Sequence, residues 1–360
     1  MNAQAESVAV PLRSRRPRSA LVLLGTGGVG QALLEQLRAH VHHDLVLAGV
    51  ANSSRQLLAP RGIEGADALS FLARQAPYRH DRELLDVLAA SGATHRVVVD
   101  ATASIEVARR HPAWLAAGFH VVTANKTLYG GALADWRAIG SAARAGGVRY
   151  GASATVGAGL PVLDTLRRWQ ACGDGVTVIE GVFSGSLSWL FNHFDGSQPF
   201  SWLLARARNA GYCEPDPRQD LSGGDVLRKL LILARTAGIE LQEDQVAVES
   251  LVPVALRDVS TQRFNAKIDL LDRDMARRQL EALQAGCVLR YLARLDSSGA
   301  RIGLHKVQPG HPAAQLQGTD NLFALSSLCY RHQPLIIRGP GAGTRVTAQA
   351  LLADIHQLIT

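Results

Sequence analysis

Ala20-Leu21-Val22-Leu23-Leu24-Gly25-Thr26-Gly27-Gly28-Val29-Gly30 is the stretch on which the fold turns. Five apolar residues in a row are the pattern of a strand buried on both faces. A glycine-rich turn follows at once. Beyond it, Val29, Leu33, Leu34 and Leu37 recur at helical spacing, and 44–50 reads as a second strand. A strand, a glycine turn, a helix and a strand within about thirty residues form the unit that binds dinucleotides. Gly25 permits the tight turn, Gly27 lets the backbone approach a pyrophosphate, and Gly30 lets helix and strand pack closely. With Gly28 and Val29 they open a helix whose N-terminal N–H groups favour phosphate. A glycine-rich turn with no ligand is the bland alternative.

The same rhythm continues. Strands are expected at 96–100 and 120–123, with a helix over 105–117 between them. Alternating elements of this kind predict a parallel, doubly wound sheet. Near Tyr150 the texture changes. Residues 151–161 are rich in glycine and small side chains, and a helix then starts with Pro161 in its first turn. Strands are expected at 177–183, 288–295 and 301–307, and helices at 200–209, 225–237 and 274–285. The fold class is therefore α/β, a Rossmann-type sheet plus a second α+β domain. The first domain is expected to span 20–149 and the second 150–332. Residues 333–360, with a strand at 334–337 and a helix at 346–358, are expected to return to the first domain.

Composition sets bounds. The 360 residues are 47% hydrophobic and 19% charged, ordinary globular values. No apolar run approaches the roughly 20 residues that span a bilayer, so no membrane association is expected. Four widely spaced cysteines, Cys172, Cys213, Cys287 and Cys329, suggest neither a zinc site nor a disulfide framework, and fit a reduced cytoplasmic setting. The net charge is +7, but arginine is mixed with acids along the chain and nucleic-acid binding is not expected. Residues 1–19 carry Arg13, Arg15, Arg16 and Arg18 without an apolar core. They read as a disordered basic tail, with a targeting segment as the alternative.

Three further segments carry chemistry. Asn52-Ser53-Ser54-Arg55 ends the second strand, where a ribose-binding carboxylate would favour NAD(H). Hydroxyls and Arg55 would instead suit a 2′-phosphate, so NADP(H) is preferred and NAD(H) is the alternative. The bland alternative is that Arg55 is simply a solvated loop residue. Thr102 and Lys126 follow the next two strands, at the carboxyl edge where such sheets bind ligands. A strand-end lysine is more often merely solvated. The third segment is Gly211-Tyr212-Cys213-Glu214-Pro215-Asp216-Pro217-Arg218-Gln219-Asp220-Leu221-Ser222-Gly223-Gly224-Asp225, running into Lys229. Four acids sit on a loop stiffened by two prolines. Asp225 and Lys229 then share one face of an apolar helix. A surface ion pair is the bland reading, but a buried pair is costly unless it has partners or a task.

Together these residues resemble homoserine dehydrogenase, and the wording is similar to the dehydrogenase half of fused aspartokinase–homoserine dehydrogenases. The likeness runs from about Ala20 to Thr360. It includes 25–30, 123–126, 156–161, 181–188, 211–229 and Gly341-Ala342-Gly343 with Val346-Thr347-Ala348. The resemblance implies reversible hydride transfer between NAD(P)H and the aldehyde of L-aspartate 4-semialdehyde, giving L-homoserine. It implies that Lys229 donates the proton, that Lys126 assists, and that Glu214 and Asp225 bind substrate with Asp220 in support. Val29, Thr102, Lys126 and Gly341 would contact the cofactor. A sodium ion would sit on the backbone of Val156, Ala158 and Leu160, with Ser153 where the family commonly has Glu. A homodimer formed through the second domain is also implied. With about nineteen residues before the first strand and a dozen after Thr347, neither a kinase segment nor threonine inhibition through a C-terminal sensing domain is expected.

Two rivals make different demands. A semialdehyde dehydrogenase working through a thioester needs a reactive cysteine, and Cys213 is the only one near the acidic loop. A catalytically dead dinucleotide sensor would keep 25–30 but has no need to hold Lys126, Asp225 and Lys229 together.

Overall fold

The computed structural model describes residues 18–39, 44–63, 68–74 and 77–359. The basic tail expected over 1–19 falls almost wholly outside these. Two six-stranded sheets organise the described chain. The first contains β1 (Ser19–Leu24), β2 (Leu45–Ala51), β3 (Gln56–Leu58), β4 (His95–Asp100), β5 (His120–Thr123) and β6 (Tyr150–Gly151), in spatial order β3-β2-β1-β4-β5-β6. All six residues of β1 are buried, as the continuous apolar run requires. Leu21 and Leu23 face one side, beside Leu33 of the helix Gly28–Ala39. Ala20, Val22 and Leu24 face the other, beside Leu84, Leu88 and Leu115. Helices thus cover both faces, and β1, β2, β4, β5 and β6 pair in parallel.

The second sheet contains β7 (Val176–Val182), β8 (Val246–Val248), β9 (Val288–Asp296), β10 (Gly299–Val307), β11 (Asp320–Ser327) and β12 (Leu335–Pro340). Its order is β12-β11-β7-β9-β10-β8, antiparallel except for the β8–β10 pair. Helices Val162–Ala171, Gly185–His193, Phe200–Asn209 and Gly224–Thr236 share one core with this sheet, built around Phe183, Phe200, Leu230, Tyr291 and Phe323.

The expected architecture differs from the structure at four places. First, β3 is antiparallel to β2, so the sheet is not wholly parallel. The Asn52 carboxamide accepts the N–H groups of Ser54 and Arg55 at 2.9 and 2.7 Å, closing a turn too short for a crossover. Second, the single helix expected over 105–117 is two, Ile105–Ala108 and His111–Ala116. Pro112 has no N–H to give to the preceding turn, and its ring would clash there. Third, 333–340 does not return to the first domain. β12 pairs with β11 in the second sheet, and only the helix Thr344–Ile359 packs back. Fourth, β6, β8 and β11 and the helices Ala68–Arg74, Asp81–Ala90, Leu133–Gly146 and Gly185–His193 have no counterpart among the expected elements. β6 and β8 are held by pairing rather than by a pattern of their own, and β11 is a short buried run flanked on both sides.

That closing helix puts Leu351, Leu352, Ile355 and Leu358 into the first core, each contributing about 1.5–3 kcal/mol of burial. Gln36 Nε2 donates to the Arg345 carbonyl at 2.9 Å, tying the two ends of this layer together. The chain therefore crosses between the sheets a last time at 341–343, directly over the cleft described below.

Space at the glycine turn is short. Gly25 has φ +97°, a region that side-chain-bearing residues rarely adopt. A Cβ on Gly30 would lie 2.0 Å from the Gly25 carbonyl oxygen. Gly30→Ala should therefore destabilise the protein by about 1–3 kcal/mol. Urea denaturation will test this, and an unchanged midpoint would show that the turn has room to spare.

Candidate active site

Between the sheets lies a cleft of about 1090 Å³. The first sheet supplies Val29, Thr102 and Lys126, and the second supplies Glu214, Asp220, Asp225 and Lys229. The crossing segment brings Gly341. Residues scattered over more than three hundred positions thus meet in one place.

Asp225 is the hub. It occupies the first turn of the helix Gly224–Thr236, and Lys229 lies one turn on. Asp225 Oδ1 accepts from Lys126 Nζ at 2.8 Å, and Oδ2 pairs with Lys229 Nζ at 2.8 Å. Burial opposes its ionisation, but the ammonium groups of Lys229 and Lys126 outweigh it and hold Asp225 well below the ordinary carboxylate range. Lys229 is 7% exposed, and its Nζ also donates to the Phe183 carbonyl at 2.7 Å. Burial lowers its pKa, partly opposed by Asp225. Gly223, at φ +80°, begins this helix. A Cβ there would stand 2.3 Å from the Tyr291 hydroxyl, so the helix start is fixed against β9.

The acidic loop separates into two parts. Asp216 does not face a ligand. Arg218 grips its carboxylate, and Arg218 and Thr261 hold it down to about 2. Arg218 also donates to the carbonyls of Arg257 and Val259, so this pair fastens the loop to the chain beyond. Asp220 accepts the Glu214 N–H at 2.9 Å, and burial raises its pKa. Glu214 is exposed at the mouth of the cleft. Cys213 does not suit nucleophilic work, because burial, Asp220 and Glu214 push its thiol up to about 12.

On the first sheet, the fully buried Asp100 holds the strand ends. Its Oδ1 takes the Thr102 N–H and hydroxyl at 2.8 and 2.7 Å, and Oδ2 lies 3.0 Å from both Asn125 Nδ2 and His111 Nε2. The loops carrying Thr102 and Lys126 are thereby set against one another. At the glycine turn, Gly25 and Gly30 are closely packed and Gly28 abuts Thr344, while a Cβ on Gly27 would meet nothing within 4 Å. Gly27 therefore stands beside open space at a helix N-terminus, the arrangement that accommodates a phosphate.

A neighbouring pocket of about 560 Å³ is lined by Ser53, Ser54, Arg79 and Arg110, and shares Thr102 and Ala103 with the main cleft. Asn52 shapes the turn instead of facing this space. Arg55 lies over the Tyr78 ring at 4.6 Å and does not line the pocket. Arg79 does, with Nε on Asp81 at 2.6 Å and a second N–H toward the Asn52 carbonyl at 3.2 Å. No local pattern singles out Arg79, since it reaches the site by the pairing of 77–79 alongside Ser54, Arg55 and Gln56. Ser184, Ser186 and Thr319 are further cleft residues that spacing alone did not mark.

Of the four positions expected for sodium, Ser153 and Leu160 already have partners within the protein. Ser153 Oγ donates to Asp354 Oδ1 at 2.7 Å and accepts from Arg167 at 2.9 Å, so a guanidinium already stands beside it. The Leu160 carbonyl accepts the Val162 N–H at 2.8 Å. The carbonyls of Val156 and Ala158 have no donor among the described residues, and Ala158 has φ +51°. The guanidinium of Arg167 beside Ser153 opposes a cation there.

Because the Cys213 thiol is held protonated, maleimide at neutral pH should label the exposed Cys172 well before Cys213. Peptide mass spectrometry over a time course will show the order. Faster labelling of Cys213 would revive the thioester chemistry.

The chain is similar to known proteins of one family. The family described as "Homoserine dehydrogenase, NAD binding domain" matches residues 25–151, and the one described as "Homoserine dehydrogenase" matches 161–356. The chain is 44% identical to bifunctional aspartokinase/homoserine dehydrogenase 2 of Escherichia coli, over 95% of this chain and 43% of that protein. It thus spans less than half the length of that relative. It is 38% identical to the homoserine dehydrogenase of Emericella nidulans, over 94% of this chain and 98% of that one. Among solved structures, a Candida auris protein of unknown function superimposes with a TM-score of 0.87 at 34% identity, covering 94% of this chain and 98% of that one. On the match over 161–356 and the near full-length likeness to the Emericella enzyme, the chain belongs to the homoserine dehydrogenase family of oxidoreductases.

Proposed function

We propose that this protein reversibly reduces the aldehyde of L-aspartate 4-semialdehyde to L-homoserine with NADP(H), in the threonine and methionine branch of amino-acid synthesis. The observation that carries the reading is Asp225 held between Lys126 and Lys229 in a cleft bordered by a glycine turn. The cleft fits a dinucleotide: Gly27 faces open space at a helix N-terminus, and Val29, Thr102 and Gly341 line the wall. Bound there, a nicotinamide dinucleotide supplies the hydride to the aldehyde carbon.

The protein supplies the proton and the grip. Lys229 gives a proton to the carbonyl oxygen as negative charge develops on it, and Asp225 keeps Lys229 charged against the cost of its burial. Lys126 adds positive charge on the same side. Glu214 and Asp220, with Asp225, receive the substrate ammonium. The buried lysine is a better acid than a solvated one, because desolvation has already weakened its hold on the proton. In reverse, neutral Lys229 takes the proton from the hydroxyl.

For the cofactor, Ser53, Ser54 and Arg79 favour a 2′-phosphate over a bare ribose hydroxyl, and no carboxylate follows β2. Asn52 and Arg55 support this turn from behind. A homodimer formed through the second domain belongs to the same proposal. Four free cysteines accord with a reducing, cytoplasmic setting. No helix among the described residues is long and apolar enough to cross a membrane.

Three measurements test the reading. Lys229→Ala should lower kcat by about 10²–10⁴-fold while leaving NADPH affinity nearly intact. Equal loss of turnover and cofactor affinity would favour a sensor. Purified protein given L-aspartate 4-semialdehyde should oxidise NADPH faster than NADH, and Arg79→Ala should raise KM for NADPH alone. Faster NADH oxidation would discard the 2′-phosphate assignment and keep the reaction.

A further inference from the structure

Lys229 spends two of its three ammonium N–H bonds on the protein. One pairs with Asp225 Oδ2 at 2.8 Å and one goes to the Phe183 carbonyl at 2.7 Å. The third is left for a ligand, and its direction depends on how firmly the two acceptors are held. Asp225 is steadied by Lys126. Phe183 lies between the end of β7 and the Ser184 cap of the helix Gly185–His193, outside the hydrogen-bonding of either element. Its carbonyl needs another anchor.

Asn321 supplies it. Its Nδ2 donates to the same Phe183 carbonyl at 2.7 Å, so one oxygen accepts both the lysine and the amide. Asn321 is fully buried on β11, opposite Gly339 of β12. Only the nitrogen end of the amide can face a carbonyl, and this leaves Oδ1 without a partner among the described residues. Burying an unpaired amide oxygen is costly, and an apolar side chain of similar shape would avoid that cost. The amide is also tightly confined, since a Cβ on Gly341 would stand 2.1–2.6 Å from its atoms. Gly341 belongs to the cleft wall, so the amide joins that wall to the carbonyl that aims Lys229.

We infer that Asn321 is the positioning residue for Lys229, its amide fixing the Phe183 carbonyl so that the free N–H of the lysine points into the cleft. The inference rests on the proposed role of Lys229 as proton donor. It assigns Asn321 no contact with substrate.

The experiment uses the full chain with NADPH and L-aspartate 4-semialdehyde over a range of pH, with thermal melting of each variant alongside. Asn321→Ala should lower kcat by about ten- to hundredfold and change KM for NADPH by less than about twofold, because a donor misplaced by an ångström loses rate before binding. Asn321→Asp keeps the size, removes the N–H that reaches the Phe183 carbonyl, and brings a negative charge toward the ammonium. It should raise the proton affinity of Lys229 and move the basic limb of the kcat profile to higher pH. Folded variants with wild-type kcat and an unmoved limb would overturn the inference, as would losses of turnover that only follow losses of folded protein. Lys229→Ala is run in parallel. If it retains turnover, the donor assignment fails and this inference fails with it, whereas inactive Lys229→Ala beside unaffected Asn321 variants condemns the inference alone.

Discussion

One carboxylate between two ammonium groups is the constraint on which the molecule is organised. Asp225 sits within 2.8 Å of both Lys126 and Lys229. Lys126 comes from the edge of the first sheet, while Asp225 and Lys229 come from a helix packed on the second. Lys229 is almost fully buried, and a buried charge survives only with close, well-placed partners. The trio therefore requires both sheets to be present and correctly opposed. It works as a register pin for the cleft.

The rest of the site supplies that opposition. Asp100 clamps the loops that carry Thr102 and Lys126, and Arg218 with Asp216 fastens the acidic loop to 257–261. The last crossing of the chain adds a third tie. β12 completes the second sheet, the next helix completes the first core, and Gly341 between them borders the cleft. A strand and a helix adjacent in sequence thus serve different layers, so 333–360 does not return to the first domain as one unit. The strand had a partner, β11, that no local pattern had announced.

Charge in the acidic loop has two different uses. Asp216 and Arg218 satisfy each other and are structural. Glu214 and Asp220 remain directed at the cleft, and the raised pKa of Asp220 reflects its burial there. At the end of β2 the same division appears. Asn52 shapes the turn and Arg55 rests on Tyr78, while Ser53 and Ser54 line the pocket with Arg79. In both places, residue type alone could not tell a group that builds a loop from one that the loop presents.

The sequence by itself determined what is local. The apolar run at 20–24 and the glycines after it specified a buried strand, a tight turn and a helix. Spacing of four residues put Asp225 and Lys229 on one helix face, and the likeness over 211–229 pointed to the chemistry. Those features are periodic or motif-bound, so a few consecutive residues carry them. Only the tertiary structure decided what meets what. It brought Lys126 to Asp225 across 99 positions, Arg79 to Ser54, Asn321 to the carbonyl that holds Lys229, and a guanidinium to Ser153. Such meetings depend on strand order and on which group fills each buried vacancy, and no short stretch of chain encodes either.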